Sequence, residues 1–204
     1  MSKLHRYAFS DLYFMTSGIS STKEQAGHGA PFASFSTVFN NFFLPDELPD
    51  LMDTSPREQE VYSIKKGDIL INGLNLNYDF VSQRVAIAPN DGIITSAYIV
   101  ARPRLNTNSE YYNYLFKTMD NKKLFHGMGT GIRLTLSFDE LKKQLIPVPT
   151  PEEQRDIVAY IEEKCKKVNS LIDELNAEIE YLKEYKQKLI ADCVTGQIDV
   201  QSEI

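Results

Sequence analysis

Tryptophan is absent from this 204-residue chain, and only 2 cysteines and 3 histidines occur. Cys165 and Cys193 cannot build a disulfide framework. His5, His28 and His126 lie far apart without a Cys pair, which argues against a structural zinc site. No apolar run reaches ~18 residues, so no transmembrane helix is expected. The opening Met1-Ser2-Lys3-Leu4-His5-Arg6 lacks the apolar stretch of a signal peptide, and cytoplasmic location is the expectation. Catalytic signatures are equally scarce. There is no Walker A loop and no Gly-x-Ser-x-Gly elbow. No Asn-Pro-Pro-aromatic motif of an adenine methyltransferase appears. Gly127-Met128-Gly129-Thr130-Gly131 lacks dinucleotide spacing and follows a predicted helix rather than a strand. The carboxylate-x-Lys pairs at Glu140-Leu141-Lys142 and Glu162-Glu163-Lys164 lie on predicted helices, so a metal-dependent nuclease is a weak third reading. The residues favour a non-catalytic protein.

The net charge is -6, which at first argues against a nucleic-acid partner. Its distribution reverses that. Residues 1–150 are neutral, and residues 151–204 carry the whole excess. Within the first part the acidic side chains concentrate at 46–60, while eight basic and four acidic residues lie between Arg102 and Lys143. A local positive face is compatible with an acidic protein, because local fields steer a phosphate backbone.

Composition and patterning break at Ile146-Pro147-Val148-Pro149-Thr150-Pro151. The expected class is α+β: a mixed α/β domain over 1–150, followed by one long coiled-coil-forming helix over 151–204. Residues 20–60 read as loops around short strands. Val61–Asn72, Phe80–Ala88 and Ile93–Ala101 read as strands, and Pro89-Asn90-Asp91-Gly92 as a hairpin turn between the last two. Thr107 with Glu110, and Ser137 with Glu140, are spaced as capping boxes for two helices, the second running through Lys143. The expected core includes Ile64, Ile69, Ile71, Val85, Ile87, Ile94, Ile99, Leu115, Phe116, Leu134 and Leu141.

The tail carries the clearest pattern. Thr150 is a good N-cap, Pro151 fits the first helical position and Glu153 completes a capping box. From there Ile161, Cys165, Val168, Ile172, Leu175, Ile179, Leu182, Lys186, Leu189 and Cys193 alternate steps of four and three. That is a coiled-coil seam interrupted by a single lysine, and Thr195-Gly196 ends it. So narrow a seam needs a partner helix, and no second helix of matching length is evident. Self-association or docking on another subunit is expected, with fold-back over its own domain as the alternative.

Ile146-Pro147-Val148-Pro149-Thr150-Pro151-Glu152-Glu153-Gln154-Arg155-Asp156-Ile157-Val158 resembles the start of the conserved region of Type I restriction-modification specificity subunits, with its Pro-rich entry, Glu-Gln and Ile. The stretch from Leu182 to Ile190, followed by Val194-Thr195-Gly196-Gln197-Ile198-Asp199-Val200, is similar to the end of that region. Upstream, Lys66-Gly67-Asp68-Ile69-Leu70 and Gly129-Thr130-Gly131-Ile132-Arg133-Leu134-Thr135-Leu136-Ser137 resemble a strand and a Gly-rich segment of the family's target recognition domain. A full subunit has two such domains and two long helices; this chain resembles a half-length form with one of each.

The resemblance implies a subunit that recognises double-stranded DNA and performs no chemistry. It binds no cofactor itself. A modification (methyltransferase) subunit would hold S-adenosylmethionine, and an ATP-driven restriction subunit would join for cleavage. It also implies a homodimer through the C-terminal helix, the recognition domains about 50 Å apart on helix length, reading an interrupted palindrome. Base readout needs paired donors and acceptors, which makes Asn72, Asn75, Asn77, Gln83 and Arg84 candidates, with Tyr78 able to stack or contact phosphate. Asn75 and Asn77 are equally explained by turn chemistry. Thr130 and Arg133 lie in the segment whose family counterpart is near DNA. Ser34, Ser36 and Thr37 align loosely with a DNA-facing strand, and Lys122 and Lys123 are generic phosphate candidates. The competing reading is a coiled-coil regulator that occupies the methyltransferase without reading DNA.

Overall fold

The computed structural model describes residues 5–20, 23–74, 85–104, 107–128 and 135–198. The chain divides into two compact units, Met1–Asp156 and Ile157–Ile204. In order, the elements are β1 (His5–Ala8), α1 (Phe9–Leu12), β2 (Tyr13–Ser17), β3 (Ala26–Ala33), α2 (Phe35–Asn40), β4 (Asp50–Met52), α3 (Pro56–Val61), β5 (Ser63–Ile64), β6 (Ile69–Asn72), β7 (Val85–Ile87), β8 (Gly92–Ile94), β9 (Tyr98–Pro103), α4 (Ser109–Asn121), α5 (Phe138–Leu141), β10 (Leu145–Val148) and α6 (Pro151–Val194). The architecture is mixed α/β with one long C-terminal helix.

The central sheet has the order β2-β9-β6-β7 and is antiparallel throughout. Its inner strands are apolar without alternation because both faces are covered. Ile69 and Ile71 of β6 join one core with Ile99 and Ala101 of β9, Phe116 of α4 and Leu12 of α1. Leu70 between them points the other way, into a second core with Val100, Tyr98, Ala33 and Ile94. The second sheet, order β4-β3-β8-β5, lies on that other face, and β3 and β8 pair in parallel within it. On the helical face Phe9, Tyr13, Tyr112 and Phe116 form an aromatic cluster with ring centroids 4.9 to 6.0 Å apart. Such pairs add about 0.5–1.5 kcal/mol each beyond area burial. β1 closes the unit by pairing antiparallel with β10, His5 opposite Val148.

Four residues of the Lys66-Gly67-Asp68-Ile69-Leu70 stretch have a physical cause. Gly67 adopts φ +86°, which a side chain would strain. Asp68 is buried and accepts from Lys65 N at 2.8 Å and Arg102 Nη2 at 2.7 Å. Ile69 and Leu70 then enter opposite cores.

Most of the expected core is in place: Ile64, Ile69, Ile71, Val85, Ile87, Ile94, Ile99, Phe116 and Leu141 are buried. Leu115 is half-buried against the same cluster, and Leu134 lies outside the described residues. The structure corrects several element boundaries. Val61–Asn72 is two strands, β5 and β6, separated by the Gly67 turn. Phe80–Ala88 is described only from Val85, where β7 runs to Ile87. Ile93–Ala101 is not one strand: β8 belongs to the second sheet and β9 to the central one. Pro89-Asn90-Asp91-Gly92 therefore crosses between sheets and closes no hairpin. Residues 20–60 hold two short helices, α2 and α3, besides strands. The cap of α4 is Asn108, whose Oδ1 accepts from Tyr111 N at 2.9 Å, rather than Thr107. Ser137 does cap α5, which ends at Leu141, short of Lys143.

The start of α6 follows its sequence signature. Thr150 Oγ1 accepts from Glu153 N at 3.2 Å, and Glu153 Oε2 accepts from Thr150 N at 2.9 Å. The neighbouring Gln154 is buried; it accepts from Asn108 N at 3.1 Å and donates to Pro149 O at 2.9 Å. This explains the Glu-Gln pair after the Pro-rich entry, since one residue caps the helix and the other ties it to the cap of α4. α6 runs 44 residues, about 66 Å at 1.5 Å per residue. Beyond it Gly196 adopts φ +75° and Gln197 N donates to Asp192 O at 2.8 Å, a left-handed C-terminal cap.

Candidate nucleic-acid interface

The turn Thr95-Ser96-Ala97, between β8 and β9, gathers four segments at one end of the sheets. Thr95 N donates to Ala33 O at 3.2 Å, and Ser96 N to Ile19 O at 2.8 Å. Gly73 N donates to Ala97 O at 3.2 Å, and Leu136 N to Gly73 O at 2.9 Å. The approach of the Ile19 segment depends on Gly18, where a Cβ would stand 2.2 Å from Ile94 O. A Cβ at Gly73 would meet Leu136 O at 3.2 Å.

These contacts collect what the sequence scattered. Ala33 leads directly into Ser34, Ser36 and Thr37. Gly73 and Leu74 border the stretch that holds Asn75, Asn77, Tyr78, Gln83 and Arg84, and Val85 resumes in β7 beside Ile71 of β6. Leu136 borders the stretch that holds Thr130 and Arg133. Those seven residues lie outside the described residues, but the borders of both stretches meet at one hydrogen bond.

Among the described candidates, local bonding already engages several groups. Ser34 caps α2, accepting from Thr37 N at 3.2 Å. Thr37 is buried and donates to Asp50 Oδ2 at 2.8 Å, which sets a carboxylate beside the start of α2. Ser36 is exposed, its Oγ 3.1 Å from that of Ser34. Asn72 is buried, and its Oδ1 accepts from Leu74 N at 2.8 Å in an Asx turn. Lys122 and Lys123 stand exposed at the end of α4, Lys123 with φ +58°.

Two exposed groups at this end escaped the sequence reading. Phe35 is 45% exposed yet fixed in place, stacked on Phe39 at 5.5 Å and 5.8 Å from the Tyr98 ring. The Tyr98 hydroxyl also donates to Phe35 O at 3.4 Å. Ser20 and Ser96 share a hydroxyl contact at 3.2 Å. Neither has a spacing signal, because their proximity arises only when β8 and β9 part into different sheets. Elsewhere Arg104 lies 3.6 Å over the exposed Phe14 ring on the edge strand β2.

The second unit presents the seam. Ile161 and Cys193 are half-exposed; Cys165, Val168, Ile172, Leu175, Ile179, Leu182 and Leu189 are exposed. Among the described residues no three His, Cys, Asp or Glu side chains gather as a metal site, and no helix is long and apolar enough to cross a membrane.

The sequence profile of the Type I restriction modification DNA specificity domain matches residues 17–181. No curated protein matches the chain significantly, whereas solved structures do. A chain of a type I R-M system, solved for its complex assembly and conformational transition, is 18% identical with a TM-score of 0.71, covering 94% of this chain and 46% of that one. The HsdS subunit from Thermoanaerobacter tengcongensis is 19% identical with a TM-score of 0.60, covering 82% and 38%. The Type-I restriction-modification system S subunit from M. genitalium is 13% identical with a TM-score of 0.55, covering 85% and 43%. At these identities the likeness is one of fold, and this chain spans less than half the length of each. The profile match over most of the sequence places the chain in the Type I restriction modification DNA specificity domain family.

Proposed function

We propose that two copies of this chain pair through α6 into one recognition unit of a Type I restriction-modification complex, which reads double-stranded DNA in the cytoplasm. The observation that carries the pairing is the seam itself. Val168, Leu175 and Leu189 are 55%, 48% and 40% exposed, in a heptad pattern that a partner helix covers. An antiparallel pair makes a two-fold unit, and a two-fold unit reads two inverted half-sites around an unread spacer. Each domain reads one half-site with the end built on Thr95-Ser96-Ala97. Asn75, Asn77, Gln83, Arg84, Thr130 and Arg133 reach base edges, Tyr78 and the serines of α2 support them, and Asn72 holds the strand end. The chain itself is not an enzyme and carries no cofactor. A modification subunit supplies S-adenosylmethionine chemistry, and a restriction subunit supplies ATP-driven cleavage.

Selection from a random duplex pool, with the full chain alone and with its methyltransferase, tests this reading. The expected product is two inverted copies of one short motif at a constant spacing. An asymmetric target contradicts the two-fold unit. Binding to the methyltransferase with no sequence selection favours the regulator that does not read DNA.

A further inference from the structure

Phe35 is the first residue of α2, and its side chain is exposed. A single exposed phenylalanine is ordinary on a protein surface. This one is held unusually firmly. Its ring lies 5.5 Å from that of Phe39, with 21° between the planes, and 5.8 Å from the buried ring of Tyr98. Ser34 caps α2 directly before it, and the Tyr98 hydroxyl donates to its carbonyl at 3.4 Å. Ring and backbone are both fixed, so little conformational freedom is left to lose when a partner arrives.

The surroundings of the ring are polar. Ser34 Oγ lies 3.1 Å from Ser36 Oγ and 3.0 Å from Thr37 Oγ1. Thr37 Oγ1 in turn donates to Asp50 Oδ2 at 2.8 Å. Ala33, two residues before Phe35, accepts from Thr95 N at 3.2 Å. The ring therefore stands at the end where the borders of the candidate segments meet. Phosphate does not suit this spot, because the ring offers it no hydrogen-bond donor and the Asp50 carboxylate repels it. An apolar group set among hydroxyls matches the major groove instead. There the C5-methyl of thymine lies among the donors and acceptors of the base edges.

Two apolar contacts with a duplex are open to a phenylalanine. One is a wedge between base steps, which unstacks them and kinks the duplex. A wedge needs both faces of the ring, and Phe39 lies along one face of Phe35 while Tyr98 is tilted against it. The other is packing against a thymine methyl, which uses only the outward part of the ring and leaves the bases stacked. The packing around Phe35 favours the second.

We propose that Phe35 reads a thymine of the target through its 5-methyl group, as an apolar specificity contact beside the hydrogen-bonding side chains. The proposal rests on the reading of the chain as a DNA recognition subunit and adds one base and one group to it. It does not depend on how many copies of the chain engage the DNA.

Uracil in place of thymine removes that methyl and nothing else from the base pair, so it tests the contact without altering the protein. The probe is the duplex selected by the full chain with its methyltransferase, each thymine replaced singly by deoxyuridine on either strand. Competition binding read by fluorescence anisotropy should show one position of the recognised motif where uracil weakens binding about fourfold, the effect of one methyl group returned to water. Phe35→Ala should weaken binding to the thymine duplex by a similar factor and bind thymine and uracil duplexes alike, at an unchanged urea midpoint. Phe35→Leu, still apolar, should keep the preference within about twofold. A target without a methyl-sensitive thymine overturns the proposal and leaves DNA recognition standing; this result comes from the unaltered chain, whether or not a variant folds. A thymine preference that Phe35→Ala retains assigns the methyl to another side chain and overturns the proposal as well. Failure to select any sequence removes the recognition reading, and the proposal with it.

Discussion

Arg102 grips Asp68 with two nitrogens, Nε at 3.1 Å from each carboxylate oxygen and Nη2 at 2.7 Å from Oδ2. The pair is unequal. The Asp68 side chain is 1% exposed and that of Arg102 is 35% exposed. The guanidinium also donates to Ser63 O at 2.9 Å, so one side chain joins β9 to β5 across the two sheets. Losing one partner of a buried pair strands the other, and here the stranded group matters. Arg102→Leu leaves a buried carboxylate and should cost about 3–5 kcal/mol. Asp68→Asn leaves a guanidinium that reaches water and should cost about 1.5–3 kcal/mol. Urea unfolding of the two variants checks the order; equal losses would mean that the carboxylate finds water.

Alkaline pH should unfold the recognition unit through its aromatic core. Burial, with the neighbouring Tyr111 adding to it, pushes the Tyr112 phenol up to about 12. Burial likewise raises Tyr13 and Tyr98. An unfolded tyrosine ionises near 10, so above that pH the unfolded chain releases protons that the folded chain keeps. The stabilisation is intact below about pH 10 and is lost as pH rises through the folded value. The Tyr112 hydroxyl is buried without a hydrogen-bond partner among the described residues. Tyr112→Phe should therefore change stability at pH 7 by about 1 kcal/mol or less and move the alkaline midpoint upward. Circular dichroism against pH reads both.

Much of this fold was legible in its sequence, for reasons particular to each element. Thr150, Pro151 and Glu153 announced the start of α6 because capping is local chemistry, and the seam announced its length because a heptad repeats. The sheets were harder. The run from Ile93 to Ala101 is apolar on both faces, so no alternation marks where β8 leaves one sheet and β9 enters the other. The turn between them, Thr95-Ser96-Ala97, contains neither Gly nor Pro. The same unmarked turn hides from the sequence the crossover at residues 89–92 and the placement of Phe35 and Ser96. Asn108 displaced Thr107 as a cap because Gln154, 46 residues away, holds the Asn108 backbone. No local signal carries that. The candidate recognition residues are marked in the sequence by type alone, and the structure adds the common end at which the borders of their segments meet.

Side chains that read bases and those that grip phosphate should separate under salt. Arg84→Ala or Arg133→Ala should cost about 1–3 kcal/mol on the selected target and relax preference at one position. Lys122→Ala should weaken binding to all duplexes alike and lower the salt slope by about one. Fluorescence anisotropy across a salt series, with target and scrambled duplexes, distinguishes the classes. A uniform loss from Arg133→Ala would reassign that residue to the phosphate backbone.

Pairing through α6 should hold two copies of the chain together before any other subunit arrives. Light scattering of the full chain over a concentration series tests it most directly. The expected mass is twice that of the 23.3 kDa chain, lost when Leu182→Glu interrupts the seam while the recognition unit unfolds at an unchanged urea midpoint. A mass of 23.3 kDa at every concentration, with the seam intact, would contradict it.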